Sequence, residues 1–161
     1  MSDRLLVAIV GNRNSGKSKT WRHLFGHSVH AGVKRLPLYY GDYATVYVIP
    51  SSPQESKITV ESTLGRERPR IVLCAIQYSF EAHETISFFV DNGYSILFHW
   101  LNPGYKDKIT PAFDRHGLIA RVLAEHSLVG IRSGRTSPRR RCNDLKDFIY
   151  GWAMKRSLVQ R

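Results

Sequence analysis

The sequence predicts an α/β fold: a three-layer sandwich with a mostly parallel sheet of about six strands, one antiparallel edge strand and helices on both faces. Three observations carry this expectation. Wholly apolar runs, LLVAIV at 5–10 and IVLCAI at 71–76, read as strands buried on both faces. Amphipathic stretches separate such runs, so successive strands are joined through helices and run parallel. Two β-rich runs are instead joined by a tight turn, which makes one antiparallel hairpin. A chain of 161 residues is read as a single domain over 1–161, long enough to bury a core.

Each element has a local reason. Leu5–Val10 is the first strand, and Lys17–Phe25 the helix after it, ended near Gly26. The runs RLPLYY and YATVYVI flank Gly41-Asp42 and form the hairpin. Ser52-Pro53-Gln54-Glu55 reads as a capping box, with serine at the cap, proline at the first helical position and glutamate three residues after the cap. It predicts a helix from Pro53 to near Gly65, against the weak helix formers Ile58, Thr59 and Val60. Arg70–Ile76 is a buried strand. Ser79 is expected to cap a helix over Phe80–Asp91, stopped by Gly93. Tyr94–Leu101 is a strand ended by Asn102-Pro103-Gly104. Thr110-Pro111 predicts a helix to about His126, and Leu128–Arg132 is the last strand. Asn143 is expected to cap a final helix whose apolar positions 145, 148, 149 and 152 share one face.

Charge is the main compositional signal. The chain has 24 Lys and Arg against 13 Asp and Glu, net +11. Residues 132–161 alone hold nine basic and two acidic residues, a net of +7. Such a surface attracts polyanions, whether nucleic acid, an anionic membrane surface or an acidic protein; a solvated basic face is the plainer alternative. No apolar run approaches the roughly 20 residues a membrane span needs, and the N-terminus does not read as a signal peptide. Cys74, in an apolar run, reads as a small buried hydrophobe. Cys142 stands beside three arginines that would lower its thiol pKa, although inert burial is the preferred reading. With these two cysteines and no disulfide pattern, a reducing cytoplasm is expected.

The most specific signal is Gly11-Asn12-Arg13-Asn14-Ser15-Gly16-Lys17-Ser18. It matches G-x-x-x-x-G-K-[ST] at every fixed position, with a buried strand before it and a helix after it. Such a P-loop binds a nucleoside triphosphate, GTP or ATP. The glycines allow positive φ and close approach of the backbone. Successive N–H groups make an anion nest at the helix N-terminus, extending to Lys19. Lys17 sets a point charge on the β- and γ-phosphates, and the Ser18 hydroxyl is a ligand for Mg²⁺.

GNRNSGKS resembles the first motif of the Era-like and ferrous-iron-transporter-like bacterial GTPases, G-x-P-N-x-G-K-[ST], with Arg13 in place of the proline. The resemblance implies a degenerate small GTPase domain. It implies that Asn14 helps to bind K⁺, that Gln54 matches the water-positioning glutamine, that Asn102 keeps a guanine contact, and that Ser133-Gly134-Arg135 matches the loop under the base. The departures are as plain. Pro50 stands for the metal-associated aspartate and Pro53 for the hinge glycine. The segment between first helix and hairpin has no threonine to cover the magnesium, although Ser28 is nearby. The N-K-x-D motif is missing, with Lys106 and Asp107 displaced, so GTP is not favoured over ATP. Arg13 has three open placements: an internal arginine finger, a block against an activating partner, or a side chain in solvent. No carboxylate ends a strand in the Walker B position, so slow or absent hydrolysis is expected, in a nucleotide-dependent module with a protein partner.

Two other readings stand beside this one. The run RSGRTSPRRRC could clamp phosphates in an ATP-dependent kinase acting on a phosphorylated or nucleic-acid substrate, with Asp42 the early candidate base, or the same arginines, with Tyr39, Tyr40, Tyr43 and Trp152, could serve a nucleic-acid-binding accessory. His23, His27 and His30 have near-chelating spacing, but Gly26 interrupts it.

Overall fold

The structure, a computed structural model, describes residues 3–161. Within them the order is β1 (Arg4–Gly11), α1 (Lys17–Phe25), β2 (Gly32–Pro37), β3 (Tyr43–Ile49), α2 (Pro53–Ser56), α3 (Val60–Leu64), β4 (Ile71–Gln77), α4 (Ala82–Asp91), β5 (Tyr94–Leu101), α5 (Leu118–Leu123), β6 (Ser127–Arg132), α6 (Pro138–Lys155) and β7 (Val159–Gln160). The strands form one seven-stranded sheet in the order β2-β3-β4-β1-β5-β6, with β7 against the start of β3. The strands β3, β4, β1, β5 and β6 are parallel, while β2 and β7 are antiparallel to β3. The mostly parallel α/β architecture is as expected; the two-residue β7 had no readable signal.

Alternation along β1 divides the core in two. Leu5, Val7 and Ile9 pack with Trp21 and Leu24 of α1 and with Leu145 and Ile149 of α6. Leu6, Ala8 and Val10 pack with Val60 and Leu64 of α3, Ile86 and Phe89 of α4 and Val122 of α5. Helices thus cover both faces, and all six side chains from Leu5 to Val10 are at most 1% exposed. Each of the larger ones contributes about 1.5–3 kcal/mol by leaving water.

Several local expectations are corrected. The hairpin turn is centred on Tyr40-Gly41 rather than Gly41-Asp42: both have positive φ, 58° and 82°, as a type I′ turn requires, and Asp42 N–H donates to Tyr39 O. The helix from Pro53 is two helices. Lys57 takes a left-handed φ of 58° and Thr59 begins again, its hydroxyl accepting from Ser62 N–H, so the β-branched run breaks the helix it was expected only to weaken. Ser79 is no side-chain cap; α4 starts at Ala82, and the Ser79 hydroxyl has no partner among the described residues. Residues 110–117 are not helical. Asp114 accepts from Leu118 and Ile119 N–H and starts α5 there, so a carboxylate overrides the Thr-Pro signal. The last helix is capped by Ser137, with Pro138 at its first turn. Asn143 lies inside it. Burial outweighs Arg141 at Cys142, whose thiol is pushed up to about 11.

His99 of β5 is an unusual core residue. It is 4% exposed and its Nε2 has no partner among the described residues. Burial, then Arg141 of α6 and Arg132 of β6, lower its pKa from 6.5 to about 4. Between those values the unfolded chain binds the extra proton, so stability is lost as pH falls through the window, by up to roughly 3 kcal/mol. Urea titrations at pH 7 and pH 4.5 should therefore show a smaller acid loss for His99→Leu than for the parent chain. Equal losses would contradict this assignment.

Candidate functional site

The loop 12–16 joins the carboxyl end of β1 to the start of α1, and it is built around one ammonium. Lys17 is 6% exposed. Its Nζ donates to Gly11 O at 2.9 Å and to Asn12 O at 2.8 Å, and lies 3.5 Å from Ser15 Oγ. Burial is the larger influence on this lysine and lowers its pKa; Glu55 and Asp107 act the other way. To curl around the ammonium the backbone takes positive φ at Asn14 (60°) and Gly16 (111°). Gly11 has a different reason from the expected one. Its φ is not positive, but a Cβ there would stand 2.3 Å from Ser15 Oγ. Among the described residues, the N–H groups of Gly16, Lys17, Ser18 and Lys19 find no acceptor, as at any helix start that lacks a capping side chain.

Two loops from neighbouring strands hold this shape. Tyr105 N–H, after β5, donates to Ser15 O at 2.9 Å, and Gly134 N–H, after β6, donates to Pro103 O at 2.8 Å. A Cβ on Gly134 would lie 2.1 Å from Ser15 O, and one on Gly104 2.6 Å from Ser15 Cβ. Beneath the loop lies Arg141, 2% exposed. It donates from Nε to Thr20 Oγ1 (3.3 Å) and from Nη1 to Thr136 O (3.3 Å), and its Nη2 lies 3.5 Å from Gly16 O. Among the described residues no carboxylate pairs with it.

Two carboxylates do reach the loop. Glu55 Oε1 of α2 is 3.5 Å from Lys17 Nζ. Asp107 Oδ2 accepts from Asn12 Nδ2 at 3.0 Å and from Gly104 N–H at 2.9 Å. An ammonium and free amides therefore converge on one mouth, with a buried guanidinium beneath it and a carboxylate on each side. Such a mouth favours an anion that can displace or share Glu55.

The residues singled out in the sequence are distributed as follows. Asn12, Arg13, Asn14, Ser18 and Lys19 are exposed on or beside the loop. Arg13 has no hydrogen bond or ion pair among the described residues, whereas the Lys19 ammonium sits 3.4 Å over the Tyr105 ring. Ser18 opens on a cavity of about 420 Å³ shared with Trp21, Ser28, Pro50 and Ser51. Ser133 and Gly134 lie against the loop, and Arg135 Nη1 donates to Asp107 O at 3.0 Å. Gln54 and Asn102 are engaged elsewhere. The Gln54 amide meets Thr85 Oγ1 and Gln77 N–H at the β4–α4 junction. Asn102 is 7% exposed and pairs both ends of its amide with the backbone of Ala112. Of the chain after β3, Glu55 reaches Lys17 and Pro50 and Ser51 line the Ser18 cavity, although β4 lies between β3 and β1 and two strand spacings are about 10 Å. No three-residue cluster of His, Cys, Asp or Glu able to hold a metal occurs among the described residues, the three early histidines included.

Sequence reasoning missed Glu55, Asp107 and Arg141 as neighbours of the loop. Glu55 was visible only as a capping residue, and Arg141 only as one of a basic run. No protein-family model matches the chain, and none of the curated proteins or solved structures matches it.

The glycine contacts give a paired test. Gly134→Ala should lower stability by about 1–3 kcal/mol through the clash at Ser15. Gly151→Ala, in the middle of α6 with nothing within 4 Å of the added Cβ, should raise it by about 0.5–1 kcal/mol. Thermal melts of the two variants check both signs.

Proposed function

We propose that this chain binds a nucleoside triphosphate, GTP or ATP, with its phosphate tail on the Gly11–Ser18 P-loop. The observation that carries the reading is Lys17, a buried ammonium clasped by the carbonyls of Gly11 and Asn12 at the mouth of a helix whose first N–H groups have no acceptor. That arrangement suits an anion delivered from outside. The β- and γ-phosphates take Lys17 and the amides of Gly16 to Lys19, and the nucleoside lies toward Tyr105 and Ser133–Arg135.

Mg²⁺ fits the exposed Ser18 hydroxyl, at a cavity that Ser28 and Ser51 also line. When bound it would neutralise phosphate charge. Exposed Asn14 is the residue suited to K⁺. With Pro50 in place of a carboxylate and Gln54 turned to β4, the chain's own residues offer little to orient a water. Binding with slow or absent hydrolysis is the consequence, in a degenerate GTPase-type module whose partner surface changes with nucleotide.

Glu55 is the element that senses the ligand. Its carboxylate shares Lys17 with any incoming γ-phosphate, and the adjacent Gln54 is tied to α4 through Thr85. Phosphate entry thus pushes on α2 and loosens a contact with α4. The arginines of residues 132–161 are less available to a polyanion than their number suggests. Arg141 is buried, while Arg132, Arg156 and Arg161 lie within 4 Å of Asp144, Asp3 and Asp42. Arg135, Arg139 and Arg140 remain exposed for an acidic protein or nucleic acid.

Calorimetry with ATP and GTP, with and without magnesium, tests the reading. Lys17→Ala should weaken binding at least about 100-fold, the loss of a buried charge–phosphate contact. Glu55→Gln should strengthen it several-fold by removing the competing carboxylate. No heat with either triphosphate, or equal affinity in Lys17→Ala, would overturn it. Single-turnover hydrolysis with magnesium should stay below about one per second.

A further inference from the structure

On the far side of Asn12 from α1, the ends of β4 and β5 and the chain between them and α5 enclose a second cavity of about 760 Å³. This falls within the range of small-molecule sites, about 300–1,000 Å³. Tyr78 and Trp100, stacked with ring centroids 4.5 Å apart at 15°, line its inner wall. Lys106, Lys108 and Arg115 line its outer part, all three exposed, and none has a carboxylate within ion-pair distance among the described residues. Phe113 stands at the rim 93% exposed. The two carboxylates nearby are already engaged. Asp114 accepts from Tyr78 Oη and from the first amides of α5. Asp107 accepts from Asn12 and Gly104.

Three cations against the one carboxylate that lines the cavity, Asp107, leave it positive and call for an anion, and a large apolar ring left in water at its mouth calls for a flat partner. Inorganic phosphate would satisfy the first and leave most of the cavity and Phe113 uncovered. We propose that this cavity is a second ligand site, taking a phosphorylated small molecule with a planar ring, of the nucleoside monophosphate class. The phosphate sits among Lys106, Lys108 and Arg115, and the ring lies between Phe113 and the Tyr78–Trp100 wall. The site borders the triphosphate loop through Asn12 and Asp107. Only its relation to a bound triphosphate rests on the function proposed above; the cavity's own occupancy does not.

Equilibrium dialysis with AMP, GMP, CMP and UMP, and with inorganic phosphate as the ring-free probe, tests the proposal. At least one monophosphate should bind ten-fold or more tightly than inorganic phosphate. Lys106→Ala/Lys108→Ala, two exposed changes, should weaken it at least ten-fold with an unchanged melting curve, and Phe113→Ala should weaken the monophosphate but not inorganic phosphate. Lys17→Ala and saturating ATP should leave monophosphate binding intact. Monophosphates no better than inorganic phosphate, indifference to the double substitution, or displacement by ATP would each overturn the second site. Failure of the triphosphate reading is separate: it appears as no triphosphate binding, or as triphosphate binding that ignores Lys17→Ala.

Discussion

A buried ammonium must find oxygen, and that requirement organises this structure. Lys17 begins α1, so its side chain points back over the chain that precedes it. The oxygens within reach are the carbonyls of Gly11 and Asn12, and to present them the loop must curl tightly enough to need positive φ at Asn14 and Gly16. The curl pushes Ser15 inward until it is fully buried. Once Ser15 is buried, side chains are excluded around it: Gly11 on one side, Gly104 and Gly134 on the others. Three glycines from three strand ends are therefore consequences of one lysine's contacts, and the β5 and β6 loops are part of the site because they close on Ser15.

Charge follows the same logic. Arg141 lies beneath Gly16 with hydroxyl and carbonyl partners only. A guanidinium keeps its charge when buried, because its intrinsic pKa is far above neutral. Two cations thus flank one loop, and among the described residues Glu55 alone forms an ion pair with either. A site balanced for its own stability would bring more acid to it. One that remains positive retains attraction for an anion from solution, at a cost in stability that the surrounding core must cover.

The sequence showed the parts of this site governed by short-range rules. Strand β1, helix α1 and the loop between them were readable because burial, helix start and glycine spacing are all local. The parallel sheet followed from alternating apolar and amphipathic runs. What escaped reading depended on partners far along the chain. Glu55 fits the capping-box pattern, and Ser52 does cap α2 through the Glu55 amide. Its carboxylate nevertheless turns to Lys17, 38 positions before it in the chain. Arg141 resembles its neighbours Arg139 and Arg140 in sequence, yet the helical phase of α6 buries it while they stay exposed. Helix α5 was misplaced for a related reason: Thr110-Pro111 is a sound start signal, but Asp114 offers two acceptors to amides four and five residues on.

Strand order decides which residues can work at the loop. Because β4 and β5 flank β1, their carboxyl ends lie beside it, and the segment after β3 must cross the width of β4 to arrive. Pro50 does not cross it; its carbonyl is held by Trp21 Nε1. A short helix does, carrying Glu55 inward while Gln54 stays with β4. On the other side, the chain after β5 needs no crossing and delivers Asp107 directly to Asn12. The acidic residues at this site are therefore asymmetric in kind. Glu55 is mounted on a four-residue helix bounded by Ser52 and a left-handed Lys57, which Gln54 ties to Gln77 and Thr85. Asp107 is fixed by one hydrogen bond from Asn12 of the loop and one from Gly104 N–H of its own segment. On the proposed function, an anion entering between them would compete with Glu55 for Lys17 while Asp107 keeps its bonds to Asn12 and Gly104, so the α2 side is the one expected to respond.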